Sequence, residues 1–167
     1  DQPVTIMVNY GSDQIQPLPS ITDEYTQIDG TSRGVVLRTP QIGYDTLRTA
    51  VTVEANNVVV RGLVIDGFRE MAVYVGLVTD VQVSEIVSEG CSILLEGTQH
   101  STVSDNNVID GIPCIELESA HLNLVQGNVV SECFAGIYLS AGESNQVLDN
   151  IVVLSSHGIM LTSASYN

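Results

Sequence analysis

A short aliphatic phrase returns along this chain at a nearly constant interval. It reads β-branched residue, any residue, aliphatic residue. The pairs are Val51/Val53, Val73/Val75, Ile93/Leu95, Ile115/Leu117, Ile137/Leu139 and Ile159/Leu161, and successive spacings are 22, 20, 22, 22 and 22 residues. Ten residues after the first member comes a second aliphatic anchor, at Val103, Val125 and Val147. Val81 is read as its counterpart in the shorter repeat. An Asn follows three residues later, at Asn106, Asn128 and Asn150, and an aliphatic two beyond that, at Val108, Val130 and Val152. Alternation with period two over three to five residues means short strands with one inward face. No stretch keeps a helical period for three turns, and Gly, Asn, Ser and Asp punctuate the strands as turn residues do. A unit of this size cannot bury its own apolar face. Stacked on a copy about 4.8 Å away, every strand pairs with its equivalent in the next coil.

Stacking places equivalent residues in columns. Val51, Val73, Ile93, Ile115, Ile137 and Ile159 form an aliphatic stack. Asn106, Asn128 and Asn150 form a structural ladder in which each amide bonds its neighbours and the turn backbone. The repeats span 51–167, with the last coil incomplete; residues 1–50 form an N-terminal opening coil with short strands at Val4–Val8 and Val35–Leu37.

Further phrases carry a resemblance. Pro17-Leu18-Pro19-Ser20-Ile21-Thr22 precedes Ile28-Asp29-Gly30, and Asn57-Val58-Val59-Val60-Arg61-Gly62-Leu63 precedes the regular repeats. With the I-x-L and V-x-x-N-x-V units over about 51–165, they resemble the right-handed parallel β-helix repeat proteins of the pectate-lyase-like superfamily, in its secreted bacterial and archaeal form. The resemblance implies an all-β, right-handed parallel β-helix of about six to seven coils with a 22-residue period. A leucine-rich horseshoe is the rival fold, disfavoured because the units lack L-x-x-L-x-L and any helical segment. The resemblance is specific for fold and unspecific for function, since this architecture hosts many activities.

Charge narrows the partners. Twenty acidic residues stand against five basic ones, all Arg, for a net charge of −15. Such a chain repels phosphate, so nucleic acid is not an expected partner, nor is an anionic membrane surface. No apolar run is long enough for a membrane span, so membrane insertion is not expected. Acidity without Lys suits either a high-salt medium or an ordinary acidic secreted protein. The three cysteines, Cys91, Cys114 and Cys133, show no C-x-x-C spacing and read as buried fillers, with one disulfide plus an odd thiol as the alternative.

Candidate site residues follow from the columns. The outward residue of I-x-L runs Thr52, Tyr74, Leu94, Glu116, Tyr138, Met160. Tyr74, Leu94, Glu116, Tyr138 and Met160 make a partly apolar binding face that a sugar ring or a second protein could use; coverage by other segments of the same chain is the alternative. A second outward column reads Val64, Glu85, Asn107, Val129, Ile151. Glu96 and Glu118 fall one coil apart, where like charges repel unless solvated or bridged by a cation such as calcium, the one cofactor the pattern admits. Asp66, Asp110 and Glu132 gather near another turn, and His100 and His121 near a third, without an evident further ligand.

Measured against the superfamily the chain resembles, catalytic phrases are missing. Ser156-His157-Gly158 is similar to the G-H-G of polygalacturonases, but no adjacent Asp pair accompanies it. The Asp-Pro-His phrase of alginate epimerases is absent, and a lyase-like calcium with an Arg or Lys base finds no Lys and only the first-half Arg residues 33, 38, 48, 61 and 69. No catalytic residue is therefore assigned, and the reading leans away from an enzyme. The expected function is that of a secreted or cell-surface, non-catalytic β-helix module with a structural, adhesive or surface-assembly role. The alternatives are a polysaccharide-active lyase, epimerase or glycoside hydrolase, or passive carbohydrate binding. Ile159-Met160-Leu161 opens a coil that has no second anchor before Asn167. The expected partners are thus other copies of the chain, or the rest of a longer chain, meeting the open coil ends. Head-to-tail docking of such ends would build a filament.

Overall fold

Alternating side chains decide the strands. In Leu63–Asp66 burial alternates along the run, with Leu63 and Ile65 sealed inside and Val64 and Asp66 turned outward. Ile115–Glu118 repeats the pattern. The computed structural model describes residues 18–32, 34–39 and 49–167 together with the backbone of 5–7. The described residues contain strands and turns and no helix.

The strands fall into three parallel sheets. The first holds Thr49–Val53, Met71–Gly76, Ser92–Glu96, Ile115–Glu118, Ala135–Ser140 and His157–Thr162. The second holds Gln27–Asp29, Val59–Arg61, Gln82–Ser84, Thr102–Ser104, Leu124–Gln126 and Gln146–Leu148. The third holds Thr5–Met7, Val35–Arg38, Leu63–Asp66, Val87–Glu89, Asn107–Ile109, Val129–Ser131 and Ile151–Val153. The chain visits them in that order, once per coil, and each strand pairs with its equivalent in the next coil. Among the described residues five coils are complete, those opening at Thr49, Met71, Ser92, Ile115 and Ala135, with partial coils on both sides. With the partial coils counted, this differs little from the expected six to seven. Much of the 1–50 segment lies outside the described residues, Val4 and Val8 included.

Columns stack in register. Ile93 pairs with Val73 on one side and Ile115 on the other, and Ile115 with Ile137. All four are sealed from solvent. The interior is one aliphatic cluster running the length of the stack, closed on three sides by sheet.

Two Asn ladders reinforce the turns. Asn106 donates its amide to the Val83 carbonyl at 3.1 Å and to Asn128 Oδ1 at 2.9 Å, while its own Oδ1 accepts from the Ile86 N–H at 2.9 Å. Asn128 repeats the arrangement toward Val103 and Asn150. A second ladder joins Asn123, Asn145 and Asn167, each amide donating to the next Oδ1 at 3.1 Å and to a turn carbonyl. Buried amides are tolerated because every polar atom finds a partner in the adjoining coil.

Every coil also bends at left-handed residues that recur in columns. One runs Leu77, Gly97, Ser119, Ala141, Ser163; another runs Asn57, Asp80, His100, Leu122, Ser144, Tyr166; all have positive φ. A left-handed backbone costs a side-chain-bearing residue about 1–2 kcal/mol, which glycine avoids. Leu77 is 81% exposed, so it returns little burial. Leu77→Gly is therefore expected to raise stability by about 1 kcal/mol in urea melts, bringing this coil into line with Gly97 in the next. An unchanged or lower midpoint would contradict the strain argument.

Cys114 and Cys133 form a disulfide, with Cα atoms 5.7 Å apart, and Cys91 stays a buried thiol. The expectation of three fillers gives way to the one-disulfide alternative. Gly111 leaves room in the turn, and its N–H points at Cys114 Sγ across 3.4 Å. Burial pushes the Cys91 thiol up to about 11, so it is inert at neutral pH.

Candidate functional site

The first sheet carries the outward column named from the sequence. Thr52 pairs with Tyr74, Tyr74 with Leu94, Leu94 with Glu116, Glu116 with Tyr138, and Tyr138 with Met160. Inward neighbours are sealed, so these residues face outward and are half-buried by one another; Leu94 is covered most, at 7% exposure. One step along each strand pair, Glu96 stands directly beside Glu118.

The face is acidic, and its geometry shows how the charge is held. The Tyr74 hydroxyl donates to Glu96 Oε2 at 2.6 Å. That bond, then burial, then the charges of Glu96, Glu54 and Glu118, push the phenol up to about 12. Burial first, then the nearby Glu118, raises the Glu116 carboxyl above its ordinary value. The tyrosine has a measurable consequence. Its folded pKa exceeds the unfolded value of 10, so the contribution to stability is full below about pH 10 and is lost as pH climbs toward 12. Ultraviolet titration should find one of the six tyrosines ionising near pH 12, and Glu96→Gln should return it toward pH 10. A single common transition in both proteins would contradict the bond.

Below this face the stack carries a groove of ≈ 320 Å³, lined by Arg69, Glu70, Met71, Gly90, Ser92, Leu94, Asp110, Ile112 and Glu116. Its origin lies in turn lengths. Between the third and first sheets, one coil uses residues 67–70, the next only Gly90 and Cys91, and the following one residues 110–114. A short turn between two long ones leaves a notch. The register slip between Ser92 and Ile93 sits at the same place. The sequence holds the signal, the single 20-residue spacing, but the reading of Val81 as the second anchor misplaced it. Val83 is the residue that pairs with Val103, so the missing residues fall after Val87 rather than before Val83.

Other columns shift for the same reason. Val87, not Glu85, pairs with Val64 and Asn107; Glu85 sits in a left-handed turn. The outward column of the third sheet is thus more apolar than expected, with Val87, Val129 and Ile151 each at least 39% exposed. His121 neighbours Gln99 and Glu143 rather than His100. His157 lies against the Phe134 ring, with centroids 5.1 Å apart. Ion pairs close the opening coil: Arg61 meets Asp29 at 2.6 Å, holding that carboxyl well below its usual range, and Arg38 meets Asp66 at 2.8 Å.

A stack of parallel coils with aliphatic and Asn columns, closed by three sheets, defines a right-handed parallel β-helix protein. The chain belongs to the family described as periplasmic copper-binding protein (NosD), whose model matches residues 8–167. No curated protein and no solved structure matches it. Among the described residues, no helix is long and apolar enough to cross a membrane.

The family's description raises copper, and the residues present test it. Copper takes His, Cys and Met donors brought to one point. Among the described residues no three His, Cys, Asp or Glu side chains converge. Two thiols are spent in the disulfide and the third is buried. The His, Cys, Asp and Glu side chains among the described residues do not make a copper centre.

Proposed function

We propose that this chain is a non-catalytic, rigid β-helix module of a protein working outside the cytoplasm, with a structural, adhesive or surface-assembly role. The observation that carries the reading is the coil-to-coil parallel pairing of all three sheets across five coils. Rigidity follows from it: the coils cannot slide without breaking the Asn ladders and the aliphatic columns together. The disulfide agrees with an oxidising compartment, where such bonds persist, and the family is a periplasmic one by its description. Flat side faces supply contact surface. Val87, Val129 and Ile151 line one of them, and Tyr74, Leu94, Glu116, Tyr138 and Met160 another.

The partners in this reading are further β-coils, from other copies or from the rest of a longer chain. Ile159 and Leu161 share columns with sealed Ile137 and Leu139 yet are about half exposed, and a further coil in register would cover them. Electron microscopy of the purified protein over a wide concentration range tests assembly: end-to-end rods are expected, and single particles at every concentration would sink that part of the reading. Polysaccharide remains the alternative partner along the Tyr74/Tyr138 face. A panel of neutral and uronate polymers separates the readings. Unsaturated product or new reducing ends would replace the non-catalytic reading with an enzymatic one. Calcium between Glu96 and Glu118 is proposed only as a stabiliser: added calcium should raise the melting temperature, Glu118→Gln should abolish the rise, and no rise in the parent chain would exclude it.

A further inference from the structure

Where the third sheet turns toward the first, successive coils place a left-handed residue: Gly67, Gly90, Asp110, Glu132 and Leu154. The residue after each runs Phe68, Cys91, Gly111, Cys133, Ser155. Cys91 and Cys133 therefore hold the same place in their coils, with a glycine in the coil between. Their sulfurs agree: Cys91 Sγ lies 3.8 Å from the Glu89 carbonyl and Cys133 Sγ 3.2 Å from the Ser131 carbonyl, and Glu89 and Ser131 both pair with Ile109. Cys114 occupies the middle place. A side chain on Gly111 would start 2.7 Å from the Pro113 carbonyl oxygen and 2.8 Å from Cys114 Cα. Cys114 Sγ sits 3.4 Å from the Gly111 nitrogen and 3.4 Å from the Val108 carbonyl. Three sulfurs thus belong to three successive coils.

The middle one is bonded to Cys133, with Cα atoms 5.7 Å apart. Its other neighbour is similarly placed. The Ile93 N–H donates to the Cys114 carbonyl at 2.9 Å and the Ser92 hydroxyl to the Pro113 carbonyl, so Cys114 stands opposite Ser92. One strand spacing across and one residue along put the Cys91 and Cys114 Cα atoms about 6 Å apart, a separation that a disulfide spans. Both side chains are sealed in the same core cluster.

We propose that Cys91, Cys114 and Cys133 form an internal thiol–disulfide exchange site, in which the bond held by Cys114 passes between its two neighbours. It is independent of any assembly role.

The Cys91 thiolate attacks Cys114 Sγ, the Cys114–Cys133 bond breaks, and Cys133 leaves as a thiolate that takes up the proton Cys91 lost. One bond forms as one breaks, so no oxidant or reductant is consumed. The entering and leaving sulfurs come from the coils on opposite sides of the central one, as in-line displacement requires. The transfer joins the turns at Gly90 and 110–114, both of which line the groove, and releases the tie between 110–114 and Cys133. At neutral pH the site is latched: burial, with the charge of Asp66, outweighs the Ser88 hydrogen bond and keeps the Cys91 thiol protonated. Arg69 and Glu70 in the preceding turn, Glu89 on the adjoining strand and Asp110 in the following turn are the other charged groups around it.

The full chain tests this without added thiol. Samples held at pH 7 and pH 10 are quenched with N-ethylmaleimide in acidic denaturant, digested with pepsin and mapped by mass spectrometry. At pH 7 the label is expected on Cys91. At pH 10, label on Cys133 together with a Cys91–Cys114 bond should accumulate, at a rate independent of protein concentration and rising about tenfold per pH unit from pH 8 as thiolate forms. Cys133→Ser leaves Cys114 one neighbour; refolded with oxidised glutathione, it should form the Cys91–Cys114 bond and keep no free thiol. If that variant does not fold, the pH 10 map of the parent chain decides. Label confined to Cys91 at both pH values, label spread onto Cys114, or two thiols persisting in oxidised Cys133→Ser would each overturn the proposal.

Discussion

Asn128→Leu should cost about 4 kcal/mol of unfolding free energy, read from urea denaturation followed by circular dichroism. Leucine is close in volume, so the cost is polar rather than steric. Asn128 is fully buried, and its Oδ1 accepts from both the backbone N–H and the side-chain amide of Asn106, at 3.0 and 2.9 Å. Its own amide donates to the Val103 carbonyl at 3.0 Å and to Asn150 Oδ1 at 2.8 Å. Removing it strands donors of Asn106 and an acceptor of Val103 in an apolar interior. Each buried group left unsatisfied costs about 1–3 kcal/mol, and part of the sum is recovered by leucine's apolar contacts. Asn128→Asp should be damaging too, since a carboxylate cannot donate to Val103. A loss below about 1 kcal/mol for Asn128→Leu would mean that the ladder is decoration.

The second large effect concerns the aliphatic columns. Leu117 lies between Leu95 and Leu139 in register, and all three are sealed. Leu117→Ala should destabilise by about 3–4 kcal/mol, toward the upper part of the range for such truncations. The cavity cannot collapse, because the hydrogen-bonded backbone of the flanking coils fixes the spacing. Leu161 provides an internal control. It occupies the same column but is 52% exposed, so Leu161→Ala should cost about 1 kcal/mol. Equal losses at the two positions would contradict the column account.

How much of this was legible depends on whether the residue type itself reports its environment. Ile93, Ile115 and Ile137 did, because inward strand positions admit little else and recur with the coil. Asn106, Asn128 and Asn150 did for the same reason. Asn123, Asn145 and Asn167 recur at the same interval and form the second ladder, yet Asn123 and Asn145 precede the valine anchor instead of following it, so a unit written as V-x-x-N-x-V passed over this column. The left-handed turns were not legible: Leu77, Leu122 and Ala141 are poor formers of that geometry, imposed by the closure of the coil. The disulfide escaped because its separation of 19 residues is no multiple of the repeat. The groove escaped because a deletion within a repeat shows its size in the spacing but its place only in the register, and Val81 and Val83 are both valines at buried positions. The outward columns were placed by the same repeat that placed the core, but what they bind is not written in periodicity.

The register itself is open to one direct measurement. Couplings across hydrogen bonds, recorded by nuclear magnetic resonance on doubly labelled protein, report which amide donates to which carbonyl. They should join the Ile93 N–H to the Cys114 carbonyl, the Leu124 N–H to that of Ser101, and the Ile151 N–H to that of Asn128, one bond from each sheet. Couplings between sequence-adjacent strands, such as Ser92–Glu96 with Thr102–Ser104, would describe hairpins instead and contradict the stacked coil.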